Sequence, residues 1–226
     1  MKKYHLITTL LCLIVISLLP TSSVFSNTNS YNADIKAAFL NNGYKLTSMP
    51  DEFYEIKDVK ERKEKFINIM LSVIEEVNLS LPEEERVPAS IILAQSALET
   101  GWGQSRFLKE GNALFGEWTF IGKGIKPLNA EEGSNHKVRS FDTLHSSMKS
   151  YIGNINTSKH YREFRKMRSE GKSGIELAEG LKYYSEEGLD YIKKVKSMIS
   201  YNNLSKYDTI SVSSKKSWYE KIIDRI

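Results

Sequence analysis

The sequence predicts a mainly α-helical domain with one small β-hairpin lobe, and three observations carry that expectation. Apolar residues recur three and four positions apart over residues 58–79, 87–98 and much of 143–203, the spacing of helices with one buried face. Between residues 115 and 142 that period disappears, and four glycines, Pro127 and short β-favouring runs replace it, as expected of paired strands joined by a polar loop. Glycines stand just past the periodic runs, at Gly101, Gly111 and Gly171, where helices commonly stop. With 226 residues, 40% of them hydrophobic and 11% aromatic, the chain can bury a sizeable core in one domain.

At the N-terminus, Lys2 and Lys3 precede an apolar stretch from Leu6 to Leu19, and Pro20 then leads small polar residues as far as Ser26. The stretch is short for a membrane span and reads as a secretory signal peptide over residues 1–26. Cleavage after Ser26 puts Val24 three residues before the cut; cleavage after Ser23 and an uncleaved anchor stay open. Cys12, the sole cysteine, follows Leu11 inside the apolar stretch, which is not the context of a lipid-attachment cysteine. The mature chain is therefore expected to carry no disulfide and no thiol nucleophile. Losing Lys2 and Lys3 lowers the formal charge from +4 to +2, a weak balance that permits contact with an anionic wall without demanding it.

Residues 27–55 form an Asn- and Ser-rich lead-in segment with a short amphipathic stretch from Ile35 to Leu40. The main domain is expected over 56–204. Its first helix, 58–79, aligns Val59, Phe66, Ile69, Met70, Val73, Ile74 and Val77. After a loop containing Pro82, a second helix opens at Val87-Pro88, carries apolar residues at 87, 91, 94 and 98, and stops at Gly101. A short helical turn spans 105–110 and is closed by Gly111. Strands are expected at 118–121 and 137–141, and helices at 143–156, 161–169, 175–181 and 191–203. The tail, 205–226, is Ser- and Lys-rich before Trp218-Tyr219 and suggests no role. Charges alternate in sign, as in Glu61-Arg62-Lys63-Glu64-Lys65, the pattern of a solvated face rather than a nucleic-acid surface.

Chemistry is expected at Ala97-Leu98-Glu99-Thr100-Gly101-Trp102-Gly103. Glu99 falls in the last turn of an apolar helix, where unpaired carbonyls and apolar surroundings both disfavour negative charge and raise a carboxyl pKa. A carboxylic acid kept protonated near neutrality is what a glycosidase uses to protonate a departing sugar oxygen. Trp102, Asn112, Phe115 and Trp118 add flat aromatic faces and a polar amide close in sequence, a combination suited to sugar rings. Competing chemistries fit poorly. His136, His145 and His160 are too scattered for a metal signature, Gly171-Lys172-Ser173 lacks the earlier glycine of a phosphate loop, where Lys166 stands, and no Gly-x-Ser-x-Gly elbow occurs. No cofactor or metal is expected.

Residues 94–107, Ala-Gln-Ser-Ala-Leu-Glu-Thr-Gly-Trp-Gly-Gln-Ser-Arg-Phe, followed by Gly111-Asn112-Ala113-Leu114-Phe115-Gly116, resemble the glucosaminidase domain of glycoside hydrolase family 73. Residues 56–63, Val138-Arg139-Ser140-Phe141-Asp142 and residues 181–191 are similar to its Bax-like branch, so the resemblance runs from about 50 to about 200. It implies a lysozyme-like fold, a catalytic Glu99, and a second carboxylate in the hairpin lobe: Glu132, with Glu131 close behind and Glu117 also present. It also implies an active-site tyrosine at Tyr184, with Tyr183 the neighbouring alternative. The lobe looks short for the family and lacks a clearly matching Glu, which favours water attack or a substrate-assisted route over direct displacement.

The function implied is an endo-β-N-acetylglucosaminidase cutting the β-1,4 bond after N-acetylglucosamine in peptidoglycan. Expected partners are glycan strands and no nucleic acid. The expected location is the periplasm, envelope or exterior, as a monomer without stable membrane insertion. A lytic transglycosylase and a non-catalytic glycan-binding module stay open as alternatives.

Overall fold

The computed structural model describes residues 47–208 except 129, 131, 132 and 134. The expected signal peptide, the lead-in segment up to residue 46, the tail beyond 208 and the candidates Glu131 and Glu132 lie outside the described residues.

A short 3-10 turn, Asp51–Glu55, buries Phe53 completely. Helix α1, Val59–Leu79, starts at Asp58, whose carboxylate accepts the Glu61 N–H at 2.7 Å, satisfying one of the free donors of the first turn. Its buried face comprises Phe66, Met70, Val73, Ile74 and Val77, with Ile67, Ile69 and Leu71 beside them. Helix α2, Ala89–Thr100, follows Pro88 and ends at Gly101 with φ 57°, a left-handed cap that glycine adopts without strain. Ten of its twelve residues are buried. Helix α3, Arg106–Gly111, begins on Ser105 and closes one residue later than expected: Gly111 is its last residue and Asn112, at φ 52°, is the cap.

The lobe is a three-stranded antiparallel sheet rather than a two-stranded hairpin. Strands β1 (Trp118–Thr119), β2 (Gly124–Ile125) and β3 (Lys137–Arg139) stand in the order β1-β3-β2. Trp118 pairs with Val138, and Gly124 with Arg139. Strand β2 escapes a sequence reading because it is two residues long, one of them a glycine, and no alternation can be seen over two positions. The Phe141 N–H donates to the Gly111 carbonyl at 2.8 Å, tying the lobe to the end of α3.

The remaining helices are α4 (Leu144–Thr157), α5 (Arg162–Ser169), α6 (Gly174–Leu177) with a 3-10 continuation Ala178–Leu181, and α7 (Leu189–Tyr201). A final 3-10 turn, Leu204–Tyr207, leads to Asp208. The Asp208 carboxylate accepts the Ser90 N–H and the Ser90 hydroxyl, both at 2.7 Å, and so caps the first turn of α2. Helix α2 is packed against α1, α6, α7 and the last turn. The packed body therefore includes Met49, Phe53 and Asp208, outside the 56–204 limits read from the sequence. No described helix is long and apolar enough to cross a membrane.

Gly103 tests how tightly this body closes. Its φ is +86°, and a Cβ there would stand 2.6 Å from the Phe53 ring. Gly103→Ala combines backbone strain with overpacking and is expected to cost about 3 kcal/mol, measured as a lowered midpoint of urea unfolding.

Candidate active site

Helix α2 delivers Glu99 to the surface from a buried helix. Gln95 lies one turn earlier on the same face and is fully buried. The Tyr191 hydroxyl, from the first turn of α7, donates to Glu99 Oε1 at 2.9 Å. The same hydroxyl oxygen accepts from Gln95 Nε2 at 3.0 Å. Gln95 Oε1 in turn accepts from the hydroxyl of Tyr151, on α4, at 2.5 Å. The other Glu99 oxygen, Oε2, lies toward Gly116, where a Cβ would come within 3.4 Å of it.

Beneath the carboxyl lies a bed of aromatic rings. Tyr184 and Tyr191 stack at 5.0 Å, Phe115 and Tyr151 stack at 4.0 Å, and Tyr151 meets Tyr184 edge-on at 6.3 Å. The Tyr184 hydroxyl donates to the Phe115 carbonyl at 2.9 Å. Desolvation by these neighbours raises the Glu99 carboxyl above its ordinary value, the Tyr191 hydrogen bond opposes that rise, and the nearby Glu187 charge adds to it. Burial first, and the Glu99 charge second, push the Tyr191 hydroxyl far above the ordinary phenol range, so it keeps its proton and acts as a donor.

The sequence candidates fall in different places. Tyr184 joins the ring bed, whereas Tyr183 is exposed and leans toward His160 at 5.6 Å. The Phe115 ring is buried against Tyr151, so it shapes the site from within and offers no open face to a sugar. Asn112 is also buried, and its amide donates to the Phe141 carbonyl at 3.1 Å, joining α3 to the sheet lobe. Trp118 is 64% exposed on the lobe and stacks on His136 at 4.4 Å. Trp102 packs edge-on against Phe66 at 5.9 Å, with Lys63 Nζ 4.8 Å above its ring. It lines a cleft of about 460 Å³ between α1 and α7, with Leu98, Met198 and Tyr201. That cleft adjoins the acid without including it. Glu117 accepts from the Ser150 hydroxyl at 2.8 Å and lies 3.7 Å from Arg139, so it braces β3 against α4.

Sequence reading missed Gln95, Tyr151 and Tyr191 as members of the site. Gln95 had a visible signal, because a glutamine in the middle of an apolar helix, one turn before the acid, requires buried partners. Among the described residues, no three metal-ligating side chains come together.

A helical body that sets one carboxyl, raised above its ordinary value, against tyrosine rings, beside a small sheet, has the architecture of a lysozyme-like glycoside hydrolase. Over residues 77–204 the chain matches the family described as mannosyl-glycoprotein endo-beta-N-acetylglucosaminidase, the glucosaminidase family, and it belongs to that family. Protein bax of Escherichia coli (strain K12) is 28% identical over 120 residues, which are 50% of this chain and 42% of that protein; the chain thus spans less than half the length of this curated relative. The catalytic domain of the autolysin Auto from Listeria monocytogenes shares the fold with a TM-score of 0.53 at 19% identity, covering 70% of this chain and 94% of that one. An N-acetylmuramoyl-L-alanine amidase from Staphylococcus aureus does so with a TM-score of 0.53 at 23% identity, over 70% of this chain and 46% of its own.

The Glu99 environment has a stability consequence. Its carboxyl binds a proton more tightly folded than unfolded, so the stability it contributes is present below the unfolded carboxyl value and is lost as pH rises through the folded one. Glu99→Gln is therefore expected to match the parent near pH ~4 and to melt at a higher temperature near pH ~7. Thermal unfolding followed by circular dichroism at the two pH values checks this.

Proposed function

We propose that the chain is an endo-β-N-acetylglucosaminidase that hydrolyses the β-1,4 bond after N-acetylglucosamine in peptidoglycan, with Glu99 as general acid. The observation that carries this reading is the Glu99 carboxyl, raised above its ordinary value in the last turn of α2 in a chain of the glucosaminidase family. The Listeria and Staphylococcus proteins that share the fold are an autolysin and an N-acetylmuramoyl-L-alanine amidase, which supports peptidoglycan as the polymer and the cell envelope or exterior as the place of action. The signal peptide at 1–26 and a catalytic unit over 56–204 belong to the same reading, as does a monomer acting on glycan strands.

In this mechanism the acetamido carbonyl oxygen of the substrate attacks C1 while Glu99 gives its proton to the leaving oxygen. The glycosidic bond breaks, and an oxazolinium ring forms without a protein nucleophile. Water then attacks C1, the ring opens, and ionised Glu99 recovers a proton. Tyr184, at the ring bed beside Glu99, is assigned to the acetamido group, and Glu132, which lies outside the described residues, to directing the water. Trp102, Asn112, Phe115 and Trp118 keep the substrate side of the proposal unevenly. Trp118 offers an exposed ring, Trp102 borders the neighbouring cleft, and the other two act by holding the walls.

Glu99→Gln is expected to lower turnover of purified peptidoglycan about a thousandfold, within the range of a lost general acid, while leaving glycan binding intact. The parent kcat/KM should fall as pH rises through the raised Glu99 value, because only the protonated acid works. Mass spectrometry of released ends decides the reaction. Reducing N-acetylglucosamine ends support hydrolysis, anhydromuramyl ends identify a transglycosylase, and no release by the folded parent identifies a binding module.

A further inference from the structure

Gln95 and Tyr151 are fully or almost fully buried, yet Gln95 connects directly, and Tyr151 through Gln95, to the hydroxyl that holds Glu99. Their hydrogen bonds have a fixed sense. A glutamine amide has one accepting end and one donating end. The Tyr151 hydroxyl occupies the accepting end, so the donating end is the one that faces Tyr191. The Tyr191 oxygen receives that bond, and its own proton is then directed to Glu99 Oε1. A carboxyl oxygen that is already accepting a hydrogen bond is the poorer place for an acidic proton, because its lone pairs accept less well once it carries a hydrogen.

We propose that Gln95 and Tyr151 are positioning residues which, acting through Tyr191, keep Glu99 Oε1 as an acceptor and confine the transferable proton to Oε2, the oxygen facing Gly116. The device rests on Glu99 being the general acid, and it sets which oxygen of that acid presents its proton to the glycosidic oxygen. Gly116 fits the same geometry: it has no side chain over Oε2, whereas a Cβ there would touch it at 3.4 Å. The titratable groups facing Glu99 are Tyr191 on α7, Tyr184 and Glu187 on the segment before α7, and Tyr151 on α4. The Glu187 carboxylate is itself held by Lys194 at 2.7 Å. Tyr191 is the one of these groups that donates to the Glu99 carboxyl, so the orientation of its proton is what Gln95 controls.

The test is a carbon-13 NMR titration of the Glu99 carboxyl in the full chain, which needs no turnover. Tyr191→Phe keeps the ring stack and removes the donor, and it is expected to raise the Glu99 midpoint by about one pH unit. Gln95→Met should move it in the same direction by less, because Tyr191 can still donate but is no longer aimed. Tyr151→Phe should move it least. The double variant Tyr191→Phe/Gln95→Met should titrate like Tyr191→Phe alone, since Gln95 acts through that hydroxyl; two effects that merely loosened the fold would add. An unmoved midpoint in Tyr191→Phe overturns the proposal, as does full additivity in the double variant. If Gln95→Met does not fold, Gln95→Leu takes its place: an uncharged side chain that neither donates nor accepts leaves the Tyr191 hydroxyl unaimed, and an unmoved midpoint there overturns the proposal equally. A parent that shows the expected shifts but cleaves no glycan would sink the function and leave the proton arrangement standing.

Discussion

A helix buried on nearly every side has only its ends to offer to solvent, and that constraint organises this molecule. Helix α2 is covered by α1, α6, α7 and the closing turn, so its surface role is confined to Glu99 and the turn that follows. The burial also dictates which polar groups the helix can carry. Ser90, Gln95, Ser96 and Thr100 are all hidden, and each must find a partner or lose on the order of 1–3 kcal/mol. Ser90 is met by Asp208, Gln95 by two tyrosines, and Ser96 and Thr100 bond back to the helix carbonyls. The last described stretch of the domain is thus bound to the helix that bears Glu99.

The turn after Glu99 shows the same economy of space. Gly101, Trp102 and Gly103 all have positive φ, at 57°, 58° and 86°. For tryptophan this is uncommon and costs about 1 kcal/mol, which its packing on Phe66 and under Lys63 offsets. The tight turn folds the Trp102 N–H back to the Ala97 carbonyl at 3.0 Å and the Gly103 N–H to the Thr100 hydroxyl at 3.0 Å. The chain leaves the acid at once and runs into α3, and the Asn112 cap then carries it to Phe115 and Gly116, back beside Glu99. The Gly-flanked Trp102 is therefore explained by chain reversal, and its ring belongs to the α1–α7 side of the molecule.

Local pattern made the helices legible and left the site only half so. The periodic apolar residues of 58–79 and 143–156 lie within a turn of the observed α1 and α4 because each helix buries one face, and periodicity is a record of that. Glu99 was legible because its neighbours are consecutive in sequence. Tyr191 was not, since it stands 92 positions from Glu99, and in the sequence it reads only as the opening of an amphipathic helix. Phe115 and Asn112 carried a signal of the right neighbourhood and the wrong face. Aromatic and amide residues near an acid serve equally well as lining or as internal support, and only the direction of the side chain distinguishes the two.

A general acid must hold its proton until the bond breaks and must also survive as an anion afterwards. Desolvation alone serves the first need and defeats the second, because an uncompensated buried carboxylate is too costly to form. A strong set of donors would do the reverse and leave nothing to transfer. At Glu99 the two influences are combined: protein crowding raises the group as a whole, and the single Tyr191 donor stabilises charge at Oε1. Once the proton has left, that bond strengthens without any rearrangement, since Tyr191 is already aimed and cannot ionise in its place. On the proposed assignment of Glu99 as general acid, the buried glutamine and its tyrosines are a means of making one carboxyl group acidic enough to react and basic enough to wait.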